Sequence, residues 1–415
     1  MSSKYMRLVA RGRVAAIPVV AAAVVAGGAF GVTGASAHKV SAHAASTVSK
    51  AALAKAKAEV TAAQQAPKWY APGPAVNAKK ALKGKTIVTF PISSEIDACN
   101  TKGQQGYLDA EAKALGAKVV ALQSNTGPAG WQANLTQAAT DKASAVVMLC
   151  GPTAAALATP LATLKADKIP VVDGNYNQTG ANPGFPTTGL SAESGVNTVQ
   201  GVETDVADAL VNLKGTPAHI LFLDSSQVAQ DSGAYGGLQA AIKTYCPASC
   251  TIEKTEDFAT QDWSSPKETA EITSDLQADP KINTVIVTFD GMTDGIESTI
   301  ASDASSHPGL KMYAWGGGLA EIKAVQNGGT FVGDSGPDEK WDAYYQLDQV
   351  IRLLSGDKPA PVTKEVAPNI FFTKTNAPIF STGGKGQEYS DKAYSNGAFV
   401  NDFLKLWGVT GAASK

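Results

Sequence analysis

Asp173, directly after the run IPVV, and Asp290, directly after VIVTF, are carboxylates placed where an apolar run hands over to a polar loop. Trp315 closes the run MYAW in the same way. In an open parallel sheet the ligand crevice lies beyond the carboxyl ends of the strands, so such positions can reach a bound molecule. Further candidates by the same reasoning are Ser93, Ser94, Asp97 and Asn100 in TFPISSEIDACN, Asn175 and Tyr176 after Asp173, and Ser226 after LFLDS. Trp131 and Trp263 join Tyr176 and Trp315 as aromatics near these loops. Hydrogen-bonding side chains beside flat apolar faces suit a sugar or polyol, whose ring has C–H faces and a hydroxyl rim. Each residue alone also has a bland reading, as a solvated loop position or as packing; the pattern across many strand ends carries the argument.

The same residues give little support to bond-breaking chemistry. GDSGP, Gly333 to Pro337, resembles a serine-protease nucleophile motif but lacks one of its glycines, and its possible bases are only His219 and His307. No Gly-x-Gly-x-x-Gly follows a strand and no Walker motif is present. The expectation is a binding protein without a cofactor rather than an enzyme.

The elements that must position these loops alternate. Short apolar runs at Thr86–Phe90, Lys118–Leu122, Ala145–Leu149 and Ile169–Val172 take turns with segments of helical period. A second series follows a long helical stretch, with runs at His219–Leu223, Thr251–Lys254, Thr284–Phe289, Met312–Trp315 and Thr330–Gly333. Strand and helix in alternation imply βαβ units and parallel sheets, and two series of similar size imply two lobes, an α/β chain. A late helix through Tyr344, Leu347, Ile351 and Leu354, a Pro-rich segment and the strand-like NIFFTK suggest that the chain crosses between lobes more than once.

Lys4, Arg7, Arg11 and Arg13 precede an apolar run from Val14 to Val32, and Ala35-Ser36-Ala37 follows, which reads as a secretory signal peptide over residues 1–37. No cysteine is near for a lipid anchor. Residues 38–84, rich in Ala and Lys and then in Pro, read as a helical or disordered spacer and linker rather than core. Without the leader the chain has 31 basic and 37 acidic residues, which gives nucleic acid no support as a partner. A single arginine remains, Arg352, read as a surface residue of the late helix. Bidentate arginine forks are the usual grip on carboxylates and phosphates, so their scarcity favours a neutral ligand.

Cys99, Cys150, Cys246 and Cys250 form an even set in an exported chain and read as disulfides. Cys246 and Cys250 in YCPASC suit a small ring; a metal site has no histidine at ligand spacing. If the sheet order sets the first strand beside the third, Cys99 and Cys150 share an edge and can bond, pinning the loop Ser93 to Asn100; otherwise they are two separate buried residues.

KTIVTFPISSEIDACNTKGQQGYLDAEAKALGAKVV, DKASAVVMLCGPTAAALATPLATLKADKIPVVDGN, INTVIVTFDGMTDGIESTI and MYAWGGGLAEIKAVQNGG together resemble the type I periplasmic-binding-protein family, in particular the ribose- and galactose-type solute-binding components of ABC importers. The resemblance runs from about Lys85 to Lys364. It implies two Rossmann-like lobes with parallel sheets joined by a multi-segment hinge, closing on a small solute and presenting it to membrane permease subunits. It places ligand contacts in Ser93 to Asn100, Asp173 to Tyr176, Asp290, and Gly316 with Gly317. Relatives often carry an arginine near the acidic residue after IPVV, where this chain has Asn175 and Tyr176, and an aspartate after the MYAW-like strand, where it has three glycines. The implied division is 85–189 with 337–362 for one lobe and 190–336 with 363–410 for the other. The expected protein is an exported monomer of the cell envelope, periplasm-like space or extracellular medium. A solute sensor coupled to a membrane receptor, or a clamp for an aromatic or amino-acid-like ligand, are the alternatives.

Overall fold

The computed structural model describes residues 47–94, 96–177, 189–228, 231, 233–293, 296–303, 306–307, 309–377, 394 and 397–409. The leader expected over residues 1–37 lies outside them.

The first sheet is built from β1 (Thr86–Pro91), β2 (Lys118–Ala121), β3 (Ala145–Leu149), β4 (Val171–Asn177) and β5 (Ala192–Val196), all parallel in the order β2-β1-β3-β4-β5. Its central strands are apolar on both faces because helices cover both, as parallel sheets require. The helices of this part are α2 (Ala78–Leu82), α3 (Gln104–Ala114), α4 (Pro128–Thr140) and α5 (Ala158–Ala166).

The chain then crosses into α6 (Thr198–Asn212) and a second sheet. That sheet comprises β6 (His219–Asp224), β7 (Thr251–Asp257), β8 (Thr284–Val287), β9 (Lys311–Trp315) and β10 (Phe331–Gly336), with β11 (Ile370–Thr373) added antiparallel, in the order β11-β10-β9-β8-β6-β7. Between its strands run α7 (Ala234–Tyr245), α8 (Pro266–Ala278), α9 (Glu297–Asp303) and α10 (Leu319–Asn327). The fold is the expected pair of α/β sheets with mostly parallel strands.

α11 (Glu339–Ser355) brings the chain back to the first sheet. Asp338 caps it by accepting the Lys340 and Trp341 N–H groups, and Gly356 ends it in the left-handed conformation. Its aromatic face meets α12 (Ala398–Leu406): Trp341 stacks on Phe399 with centroids 4.5 Å apart, and Trp407 donates its indole N–H to Asp348 at 2.6 Å. Two boundaries of the sequence division therefore change. β5 belongs to the first sheet although its residues AESGV fall in the range assigned to the second lobe, and α12 packs on the first lobe rather than the second.

The chain crosses between the lobes at Val196–Thr198, Gly336–Asp338 and Val366–Ile370 among other places, and these three crossings lie together. They are bonded to one another: Gly195 N–H donates to the Glu365 carbonyl, Ala367 N–H to that of Gly195, and Asn369 Nδ2 to that of Asn197. The buried Tyr394 hydroxyl accepts the Ile370 N–H and donates to the Gly336 carbonyl, tying two crossings together.

The segment read as a spacer is part of the folded body. α1 (Lys50–Ala63), capped by Ser49, buries Ala56 and Val60 against α6 and α7. Its contact stripe, Ala52, Leu53, Ala56, Val60 and Ala63, is mostly alanine and too weak in hydrophobicity to read as a core face. Val48 N–H donates to the Gly215 carbonyl, and Gln64 Nε2 donates to Thr373 Oγ1 at 3.0 Å, both on the second lobe. The chain then runs to the first lobe, where Trp69 meets Phe403 edge-on and Val76 N–H donates to the Leu406 carbonyl. Arg352, expected at the surface, is 2% exposed: it pairs with Asp348 at 2.6 Å and donates to the Pro74 carbonyl.

Candidate functional site

The carboxyl-end loops of the two sheets face each other and touch at their rims. Thr153 donates its hydroxyl to the Gln227 carbonyl, Pro152 and Val228 form an isolated antiparallel bridge, and Ile96 abuts the backbone at Gly291.

The first-lobe loop is held by its own side chains. Asn100 Nδ2 donates to the Ser94 carbonyl and to Asp97 Oδ1, while its Oδ1 accepts the Lys102 N–H. Ser94 exchanges bonds with Ser124, donating its N–H to the Ser124 carbonyl and accepting the Ser124 N–H on Oγ at 2.7 Å. Asp97 is exposed and paired with Lys102 at 2.8 Å, and Ser93 is half-buried beside them. β1 lies beside β3, and Cys99 is bonded to Cys150, so the loop is fastened to the end of the third strand. Cys246 and Cys250, four positions apart, close a second, small ring.

Asp173 is fully buried on β4, in register with Met148 and with Glu193 of β5. Burial, with the Glu193 carboxylate beside it, holds its pKa well above the ordinary range, and burial pushes Glu193 up to about 7. Asn175 and Tyr176 continue the β4 backbone; their side chains lie outside the described residues. Trp131 is removed from the rim: it is fully buried in α4 and its indole N–H goes to the Ile92 carbonyl at 2.8 Å, which makes it a core residue. Ser226 sits exposed and bonded through N–H and Oγ to Asp257.

The second lobe contributes the denser group. Trp263, Phe289 and Trp315 form a row with centroid separations of 5.3 and 6.4 Å. Trp315 is buried, its indole N–H 3.4 Å from Asn369 Oδ1 on a crossing segment. Asp290, 2% exposed, accepts the Gly318 N–H at 2.7 Å. Asp334, inside β10 and paired with Ala314 and Phe372, is fully buried and takes the Gly317 N–H on Oδ1 at 3.5 Å. Burial, then the carboxylates of Asp290, Glu321 and Asp205, push its pKa well up; Glu339 is raised likewise by burial and by Asp338, Asp290 and Glu321. Sequence reasoning did not single out Asp334, Phe289, Glu321 or Glu339. Phe289 reads as strand core, and the two glutamates fall in helical first turns, where an acidic residue is ordinary.

Comparison with known proteins agrees with this architecture. A sugar ABC transporter from Yersinia enterocolitica subsp. enterocolitica 8081 superposes with a TM-score of 0.64 at 18% identity, covering 82% of this chain and 98% of its own. An ABC transporter solute-binding protein from Mycobacterium smegmatis with bound glycerol gives 0.61 at 16% identity, covering 73% and 99%. One from Agrobacterium vitis with bound allitol gives 0.60 at 17%, covering 72% and 98%. At these identities the likeness shows the fold. A comparison with curated proteins by sequence finds no match. The model of the periplasmic binding protein domain matches residues 101–358, from the disulfide-pinned loop through both sheets to the end of α11. By that match the chain belongs to the periplasmic binding protein domain family.

Proposed function

We propose that this protein is the extracytoplasmic solute-binding component of an ABC importer, which closes its two lobes on a small hydroxylated solute, a sugar or polyol, and delivers it to membrane permease subunits. The observation that carries the reading is the meeting of the two rims over Asp290 and the Trp263–Phe289–Trp315 row, with three bonded crossings behind them. A ligand that contacts both lobes favours the closed state by its differential affinity. Glycerol, allitol and sugars bound in proteins of the same fold support the class of solute. Of the residues read from sequence, Ser93, Asp173, Trp263, Asp290 and Trp315 form the contact set, joined by Phe289; Ser94, Asp97 and Asn100 shape the loop. The basic and apolar start of the sequence supports export as a signal peptide, and the lobes act as a monomer without a cofactor. No helix among the described residues is long and apolar enough to cross a membrane.

A thermal-shift panel of sugars, polyols, cyclitols, amino acids and small aromatics tests this reading. A true ligand at 100 times its Kd adds roughly 2.7 kcal/mol of stability. A shift by a sugar or polyol supports it, a shift by amino acids or aromatics alone moves the solute class, and silence across the panel counts against the clamp.

A further inference from the structure

The chain leaves β3 through two left-handed residues in succession, Cys150 at φ 60° and Gly151 at φ 68°. Glycine takes that region freely, whereas a side chain there costs about tenfold in population. Lys142, Lys168 and Lys214 share the conformation, but each directly follows the closing residue of a helix, where a left-handed residue is ordinary. Cys150 follows a strand, so its conformation needs another cause. It is 1% exposed and bonded to Cys99, and that bond holds its side chain at the rim of the first sheet.

The turn delivers the next two residues to the other lobe. Pro152 makes its isolated antiparallel bridge with Val228, which is 2% exposed, and Thr153 gives its hydroxyl to the Gln227 carbonyl. The receiving loop is bonded into its own lobe. Ser225 Oγ donates to the Phe258 carbonyl at 2.7 Å, Val228 N–H to the Ser225 carbonyl at 3.0 Å, and Gln227 Oε1 accepts the Thr260 N–H at 3.3 Å. A fixed seat facing a strained turn is the arrangement of a latch, since strain at a residue persists only where its surroundings hold it.

We propose that Cys150 is a positioning residue for lobe closure: its bond to Cys99 holds the left-handed turn that sets Pro152 and Thr153 against Val228 and Gln227, and this latch favours the closed clamp independently of any solute contact. The inference rests on the clamp reading above and goes beyond the fastening of the Ser93 to Asn100 loop.

Hydrogen exchange of the full chain in buffer alone, read by mass spectrometry, tests it. Thr153→Val removes the hydroxyl and keeps the shape. It should speed exchange about fivefold, the size of one hydrogen bond, at residues 225–228 and also at 289–292, where Ile96 meets Gly291 across the rim, with β3 and β8 unchanged. Cys99→Ala/Cys150→Ala should speed exchange about tenfold at 225–228, the cost of a left-handed alanine. Cys99→Ala/Cys150→Gly, which permits the turn without the bond, should recover most of that loss, as a bond that only stabilises the first lobe would not allow. Wild-type exchange in the Thr153 variant overturns the inference, as does a change confined to 225–228, which would make the contact local packing. Equal loss in the alanine and glycine variants overturns it too; if neither folds, Thr153→Val decides alone. Because no solute enters this experiment, a hit in the solute panel beside unchanged exchange here strikes the latch and leaves the clamp.

Discussion

The carboxylate of Asp290 fills the space that a side chain at Gly316 would need: a Cβ there would lie 2.0 Å from Asp290 Cγ. The neighbouring strand's aspartate thus lies over the glycine. Gly316→Ala should therefore displace Asp290 from the Gly318 N–H. Overpacking of this kind costs about 1–3 kcal/mol, and solute affinity should fall more than the melting temperature does. Titration and melting of the same variant decide the point; unchanged affinity would show that Asp290 does not face the solute.

Trp263 and Trp315 flank Phe289 in the proposed contact set, while Trp131 is sealed in the first lobe's core. Solute binding should change the intrinsic tryptophan fluorescence. Trp263→Phe should remove a large share of that change and Trp131→Phe should leave it intact. A change carried by Trp131 alone would relocate the cleft.

The Cys99–Cys150 bond closes a loop of 51 residues. On chain-entropy grounds its removal costs about 4 kcal/mol. The double variant Cys99→Ala/Cys150→Ala should melt lower and also bind solute more weakly, because the Ser93 to Asn100 loop loses its fastening to β3. Loss of stability with affinity intact would separate the bond from the site.

Buried carboxyls make stability depend on pH in a definite direction. Burial pushes Asp342 and Glu268 up to about 8, and Asp208 and Glu193 to about 7. A carboxyl whose folded pKa is raised binds its proton more tightly in the folded state. Its stabilising effect is complete below the unfolded value near 4 and disappears as pH rises through the folded value. The melting temperature should fall by several degrees between pH 5.5 and pH 8.5, which calorimetry at the two values reads directly. A higher melting point at pH 8.5 would mean that ionised carboxylates paired in the fold outweigh these four.

Arg352 sits between α11 and the incoming chain, with its guanidinium against Gly73. Removing one partner of a buried pair costs about 3–5 kcal/mol, since Asp348 is left charged in the interior. Arg352→Leu should lower the denaturation midpoint accordingly, and Arg352→Leu with Asp348→Leu should recover part of the loss.

The strands with apolar faces, such as β3 and β8, are legible in the sequence because burial on both sides demands apolar residues. β5 is not, because AESGV is buried with Glu193 and Ser194 inside it, made tolerable by α11: Gln349 donates to the Glu193 carbonyl and Ser194 lies 3.5 Å from Asp342. Only the partner helix explains that strand. Asp290 and Trp315 stand at strand ends, where topology alone locates them. The carboxylate gathering around Gly318 was not legible, because glycines record an absence and the residues that fill it come from three separate stretches. Trp131 misled for a related reason: an aromatic beside a polar loop looks the same in sequence whether it faces the cleft or the core.

The leading segment has a mechanical meaning. Between Gln64, fixed to the second lobe, and Val76, fixed to the first, the chain can span roughly 40 Å if drawn straight. Such a leash is long enough that its reach does not stop the jaws from parting; what resists is the peeling of Trp69 from Phe403. Because Val48 is seated at Gly215, whatever holds the chain ahead of it holds the second lobe. In the proposed clamp, a chain held ahead of Val48 would leave the first lobe as the jaw that swings.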